Sequence, residues 1–149
     1  MKTRHKMRLV STAAAALVAV FLCAQANALS CGPRVMVLAV LAENGQPLIE
    51  QGVDNKSGVY VGVSANLLTA EWTFIMSPAK QPRVLCIVGT GTRWTIKENS
   101  STGILHDGSV ISIAISNGDW VLIYMQAGLA APPKQSITGH GWERLGKDV

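Results

Sequence analysis

The chain has 149 residues, of which 48% are hydrophobic and 15% charged, with 13 Lys+Arg against 9 Asp+Glu. Four of the cations fall within the first eight residues and every acid comes later, so the rest of the chain balances at nine against nine. Scattered, balanced charge excludes the electrostatic footprint of a nucleic-acid or anionic-lipid binder, which needs clustered Lys and Arg.

Residues 1–28 read as an export leader. Lys2, Arg4, Lys6 and Arg8 precede the apolar run Leu9 to Cys23, and Ala26-Asn27-Ala28 supplies the small-x-small end that a signal peptidase recognises. Cleavage after Ala28 places the remainder in the periplasm or outside the cell. Two alternatives stay open. The run could be retained as an anchor, although its roughly 15 residues fall short of the roughly 20 that span a bilayer. Cys31 could instead be lipidated, but Ala28 stands where that signal usually has an aliphatic residue. No second apolar span follows, so no transmembrane segment is expected in the mature chain.

Cys23 leaves with the leader, and Cys31 and Cys86 remain as an even pair in a compartment where disulfides persist. A Cys31–Cys86 bridge is expected, against the alternative of two free buried thiols; closing so long a loop is worth about 2–4 kcal/mol. There is no CxxC, so neither redox catalysis nor zinc is indicated.

Pro33 and Gly45 bracket an apolar run and favour a helix over 34–44. Val35, Val37 and Val40 leave a strand reading open. Strands are predicted at 48–53 and 58–64, joined through Asp54-Asn55-Lys56-Ser57. Two more follow at 71–77 and 83–88. In the first of them Trp72, Phe74 and Met76 share one face, and the second carries Cys86, so the bridge would staple the N-terminal segment to the sheet. Gly89-Thr90-Gly91-Thr92 reads as the turn that ends this unit; it does not open a predicted helix, as a phosphate-binding loop would. Polar residues 97–103 read as a loop or linker. Beyond it, strands at 109–115 and 120–126 flank Asn117-Gly118, a hairpin signal. The expected organisation is therefore a disulfide-linked unit over 29–96 and a β-hairpin extension over 97–149 packed on the same sheet. The fold class is α+β, mainly antiparallel sheet with one short helix.

One echo runs through the chain. Trp72 and Trp94 share their spacing with Trp120 and Trp142, an acid precedes the first tryptophan of each pair, and Gly91 aligns with Gly139. The copies then diverge, Val84-Leu85-Cys86 standing against Pro132-Pro133-Lys134, so a degenerate repeat and chance spacing both remain open.

Candidate functional residues are few. Trp72, Trp94, Trp120 and Trp142 could stack on a ligand, or form the core of a domain poor in aromatic residues. His106 and His140 lie near Asp107 and Glu143. Neither has a nucleophile or third ligand at useful spacing, so no catalytic residue, metal or cofactor is assigned.

Cys31-Gly32-Pro33, the apolar segment ending near Glu43-Asn44-Gly45, Glu71-Trp72-Thr73-Phe74, Arg83 through Gly89 and Trp94 together resemble a group of small exported proteobacterial proteins of unknown function. The resemblance covers residues 31–94. It implies export, one disulfide and a small α+β unit, and brings no activity with it. The chain departs from the group in lacking its usual glycine before the second cysteine and in extending some 50 residues beyond Trp94. The expected function is a non-enzymatic accessory or interaction protein of the cell envelope, with an envelope protein or a glycan as partner. A cell-wall or glycan-binding module and a small hydrolase are the alternatives.

Overall fold

A computed structural model describes residues 30–127 and 134–145. The leader, most of the Pro-rich segment 129–134 beside which a peptide-accepting edge strand is expected, and the last four residues lie outside them.

The short strand β1 (Ser30–Pro33) leads into helix α1 (Arg34–Glu43), and eight strands follow. They are β2 (Leu48–Asp54), β3 (Tyr60–Ala65), β4 (Trp72–Met76), β5 (Val84–Lys97), β6 (Ser100–Leu105), β7 (Val110–Ser116), β8 (Asp119–Met125) and β9 (Lys134–Arg144). From β2 to β9 each strand pairs antiparallel with the next, and β9 returns to pair with β2. The result is a closed eight-stranded barrel. The expected antiparallel sheet with one short helix is present, but the α+β class is corrected: the sheet shuts on itself and the molecule is a β-barrel. Strands β6, β7, β8 and β9 supply half of its wall.

Alternation along the strands explains which residues fill the barrel. Val61, Val63 and Ala65 of β3, Trp72 and Phe74 of β4, Ile111 and Ile113 of β7, and Trp120 and Leu122 of β8 form one buried cluster. The opposite faces of β3, β4 and β5 are not left to water. Tyr60, Ile75 and Leu85 bury against Leu41 of α1, with Val37 and Leu38 packed beside them. Val37, Leu38 and Leu41 follow helical spacing, so their burial settles the helix reading despite the valines. Pro33 stands just before the helix rather than in its first turn. At the other end Asn44 donates its side-chain N–H to the Val40 carbonyl (2.9 Å), and Gly45 takes the left-handed φ of 78° that stops α1. The expected bridge is present: Cys31 and Cys86 are joined, tying β1 to β5. Such a bond suits an oxidising compartment.

The tryptophan echo is a repeat of register. Trp72, Thr73 and Phe74 face Gly91, Thr90 and Gly89, then after a bulge Ile75 and Met76 face Ile87 and Cys86. Trp120, Val121 and Leu122 face Gly139, Thr138 and Ile137, and after a bulge at the same place Ile123 and Tyr124 face Gln135 and Lys134. The seams to the neighbouring strands repeat as well, Gly91 facing Leu105 where Gly139 faces Asp54. Left-handed backbone recurs at Arg93 (φ 59°) and Gly141 (φ 69°). Strands β2–β5 and β6–β9 are thus two copies of one four-stranded unit, related by a pseudo-two-fold along the barrel.

This repeat explains where sequence expectation fails. Gly89-Thr90-Gly91-Thr92 continues β5, and much of the supposed linker is β6. Gly91, Gly103 and Gly139 are strand positions vacated for indoles. A Cβ on Gly103 would lie 2.5 Å from the Trp72 ring and 2.6 Å from Trp94, and one on Gly139 would lie 2.4 Å from Trp120.

Candidate functional site

The two ends of the barrel differ. At one end the four indoles and a buried acid make a floor. Trp72 packs on Trp94 with ring centroids 5.1 Å apart, and Trp120 packs on Trp142 at 5.0 Å. Glu50, fully buried, faces Val63 across the β2–β3 ladder and so points inward. Its Oε2 accepts from the Trp94 indole (2.9 Å). Its Oε1 accepts from the Ser101 hydroxyl (2.6 Å), the Trp142 indole (3.2 Å) and Arg144 Nε (3.0 Å). Arg144 is held in turn by the carbonyls of Glu98 and Ser100, at 3.1 and 3.2 Å. One carboxylate therefore joins Trp94 and Trp142, the equivalent residues of the two halves. Trp72 donates to the Thr92 carbonyl (2.8 Å), whereas the Trp120 N–H meets no acceptor among the described residues.

Trp72, Trp94 and Trp120 are at most 5% exposed and belong to the core, whereas Trp142 is half-buried. Glu50 and Arg144 escaped sequence reasoning. The available signal was a lone acid inside the apolar run of β2.

Among the described residues the other end is open. A cavity of about 700 Å³ lies there, lined by Phe74, Met76, Val88, Leu105, Ile111, Leu122, Tyr124 and Ile137. An eight-stranded barrel has an interior that side chains just fill or that holds one small ligand. Here, among the described residues, the floor is filled and the mouth is not. Thr90, His106 and Asp107 supply the polar part of the lining. The Asp107 carboxylate accepts from the Ser109 backbone N–H (2.8 Å), which with the Ser109 hydroxyl holds its pKa below the ordinary value and keeps the rim anionic. Tyr124 donates its hydroxyl to Ser109 (3.3 Å) and so keeps its ring upright in the wall.

The remaining candidates are dispersed. His106 sits in the β6–β7 turn at the mouth, while His140 lies on the outer surface paired with Asp119, both largely exposed. Glu143 accepts from the Gln51 side-chain amide (2.7 Å). Ser116 shares a shallow depression with Asp119 and His140, but no hydrogen bond joins its hydroxyl to the imidazole among the described residues. Nor does any group of three metal-ligating side chains gather among them.

At the mouth end Asp54 ties the β2–β3 turn to β9. It accepts from the Ser57 hydroxyl and N–H and, at 3.4 Å, from the Thr138 N–H, and these bonds lower its pKa. A carboxylate depressed in the folded state contributes stability above its unfolded pKa, near 4, and loses it as pH falls through the folded value. Urea midpoints are therefore expected to fall as pH drops below about 4, and Asp54→Asn to flatten that decline while lowering stability at neutral pH. Identical pH profiles for the two proteins would contradict this role.

Compared with known proteins, the chain matches no family model, no curated protein and no solved structure.

Proposed function

We propose that the protein is an exported binding barrel that holds one small apolar molecule in the cavity at its open end, without acting on it chemically. The observation that carries this reading is the apolar mouth, left unfilled by the described residues and set above a packed floor. Its volume of about 700 Å³ suits a single small ligand. Eight apolar side chains would drive entry by burial, and the rim residues Thr90, His106 and Asp107 would meet the ligand's polar end. Export is supported by the leader and the disulfide, and by the resemblance of residues 31–94 to small exported proteins. The envelope accessory role expected from sequence becomes, on this reading, carriage or capture of an apolar compound.

An environment-sensitive apolar fluorophore, N-phenylnaphthylamine, is expected to bind the purified protein at one molecule per chain. Val88 lines the mouth yet is 41% exposed, so Val88→Trp should narrow the opening without unfolding the barrel. The variant is expected to bind the probe about tenfold more weakly, equivalent to about 1.4 kcal/mol, with an unchanged melting temperature. Absence of probe binding, or equal binding by the variant, would refute the reading.

A further inference from the structure

We infer that the outer face of α1 is the contact of a symmetric dimer, in which two copies of the chain lay their helices side by side in opposite directions. The inner face of α1 is spent on the barrel, yet its outer face is also apolar. Val35 is 80% exposed, Met36 63% and Val40 52%, with Ala39 between them. The spacing of these four makes one continuous stripe on a helix, and the small Ala39 near its centre permits close approach of a second backbone.

The charges at the ends of α1 identify the occupant. A helix favours acids at its N-terminus and bases at its C-terminus. Here the order is reversed: Arg34 opens the helix, Glu43 closes it, and the first turn has no acid and the last no base. Neighbouring elements repeat the pattern. Exposed Arg83 stands at the N-terminal end, where its carbonyl accepts from the Arg34 N–H (2.7 Å). Exposed Glu71 stands at the other, in the β3–β4 loop whose Asn66 lies against Gly45. An antiparallel second copy brings the acidic end of one helix to the basic end of the other, twice over, and corrects both dipoles. A two-fold interface makes each such contact reciprocal.

Leu67 and Leu68 in the same loop, the latter 97% exposed, extend the apolar area beyond the helix. A ten-residue helix is only about 15 Å long, and stable interfaces bury about 800 Å² per partner, so a reversible dimer is expected rather than a permanent one. A lipid surface fits less well, because interfacial helices carry Lys and Arg along the polar face, and here one end of the stripe is acidic.

Sedimentation equilibrium over rising protein concentration tests this. A reversible monomer–dimer equilibrium is expected. Val35→Glu and Val40→Glu, both at exposed positions that leave the fold intact by circular dichroism, should each weaken it at least tenfold. Glu43→Arg should weaken it too, and the double variant Glu43→Arg with Arg83→Glu should recover it. A monomer at every concentration, a dimer indifferent to Val35→Glu, no recovery in the double variant, or binding of the monomer to phosphatidylglycerol vesicles through the same residues would each overturn the proposal.

Discussion

Glu50→Ala is expected to lower the melting temperature by about 10–20 °C, corresponding to about 3–5 kcal/mol for breaking a buried, hydrogen-bonded ion pair. The variant would leave Arg144, only 17% exposed in its side chain, without its carboxylate, and would strip the Trp94 and Trp142 indoles of their acceptor. The Trp94 indole is left a buried donor without a partner, and Trp142 and the Arg144 Nε become part-buried ones. Glu50→Gln should recover little, because its amide turns an N–H donor toward groups that are themselves donors. Thermal unfolding followed by tryptophan fluorescence measures the effect directly, since the reporting indoles are the ones that lose their partner. A shift under about 3 °C would mean that Glu50 does not join the two halves.

The second large effect is steric. Gly103→Ala is expected to destabilise by about 1–3 kcal/mol, because the added methyl meets the Trp72 and Trp94 rings at 2.5 and 2.6 Å, and both indoles are buried. Gly139→Ala should behave alike, with Trp120 and the Val53 carbonyl both 2.4 Å from the new carbon. Gly89→Ala is the control. Among the described residues its methyl would meet only the Leu105 Cδ2, at 2.7 Å, the far end of a flexible side chain that borders the cavity. It should therefore change stability by no more than about 0.5 kcal/mol. Urea unfolding of the three variants checks the ordering; equal losses would show that the indoles do not dictate these glycines.

These glycines also mark the limit of sequence reading. The helix, the strand alternation around Trp72-Phe74-Met76, the Asn117-Gly118 hairpin and the Cys31–Cys86 bridge were all legible, because each is written in local spacing or in residue counts. The second half of β5, together with β6, was not. Glycine in a strand and glycine in a turn look alike in one dimension, and the difference lies in an indole arriving from a neighbouring strand. Barrel closure was hidden for a related reason, since it depends on β9 meeting β2, a pairing between distant segments, and on β5 and β6 pairing through a stretch that reads as a turn and a linker. The one long-range signal in the sequence was the shared spacing of the Trp pairs with Gly91 and Gly139, and it proved to be a structural repeat. The cavity had no signature of its own, being volume that inward-facing side chains leave unfilled.

The most direct test of the binding reading is a ¹H–¹⁵N correlation spectrum of the purified protein titrated with N-phenylnaphthylamine. Saturating shifts at the amides of Met76, Gly89, Thr90, Leu105 and Tyr124, with the four indole N–H signals unmoved, are the expected outcome. Shifts confined to the outer surface around His140, or centred on the indoles with the mouth silent, would contradict it.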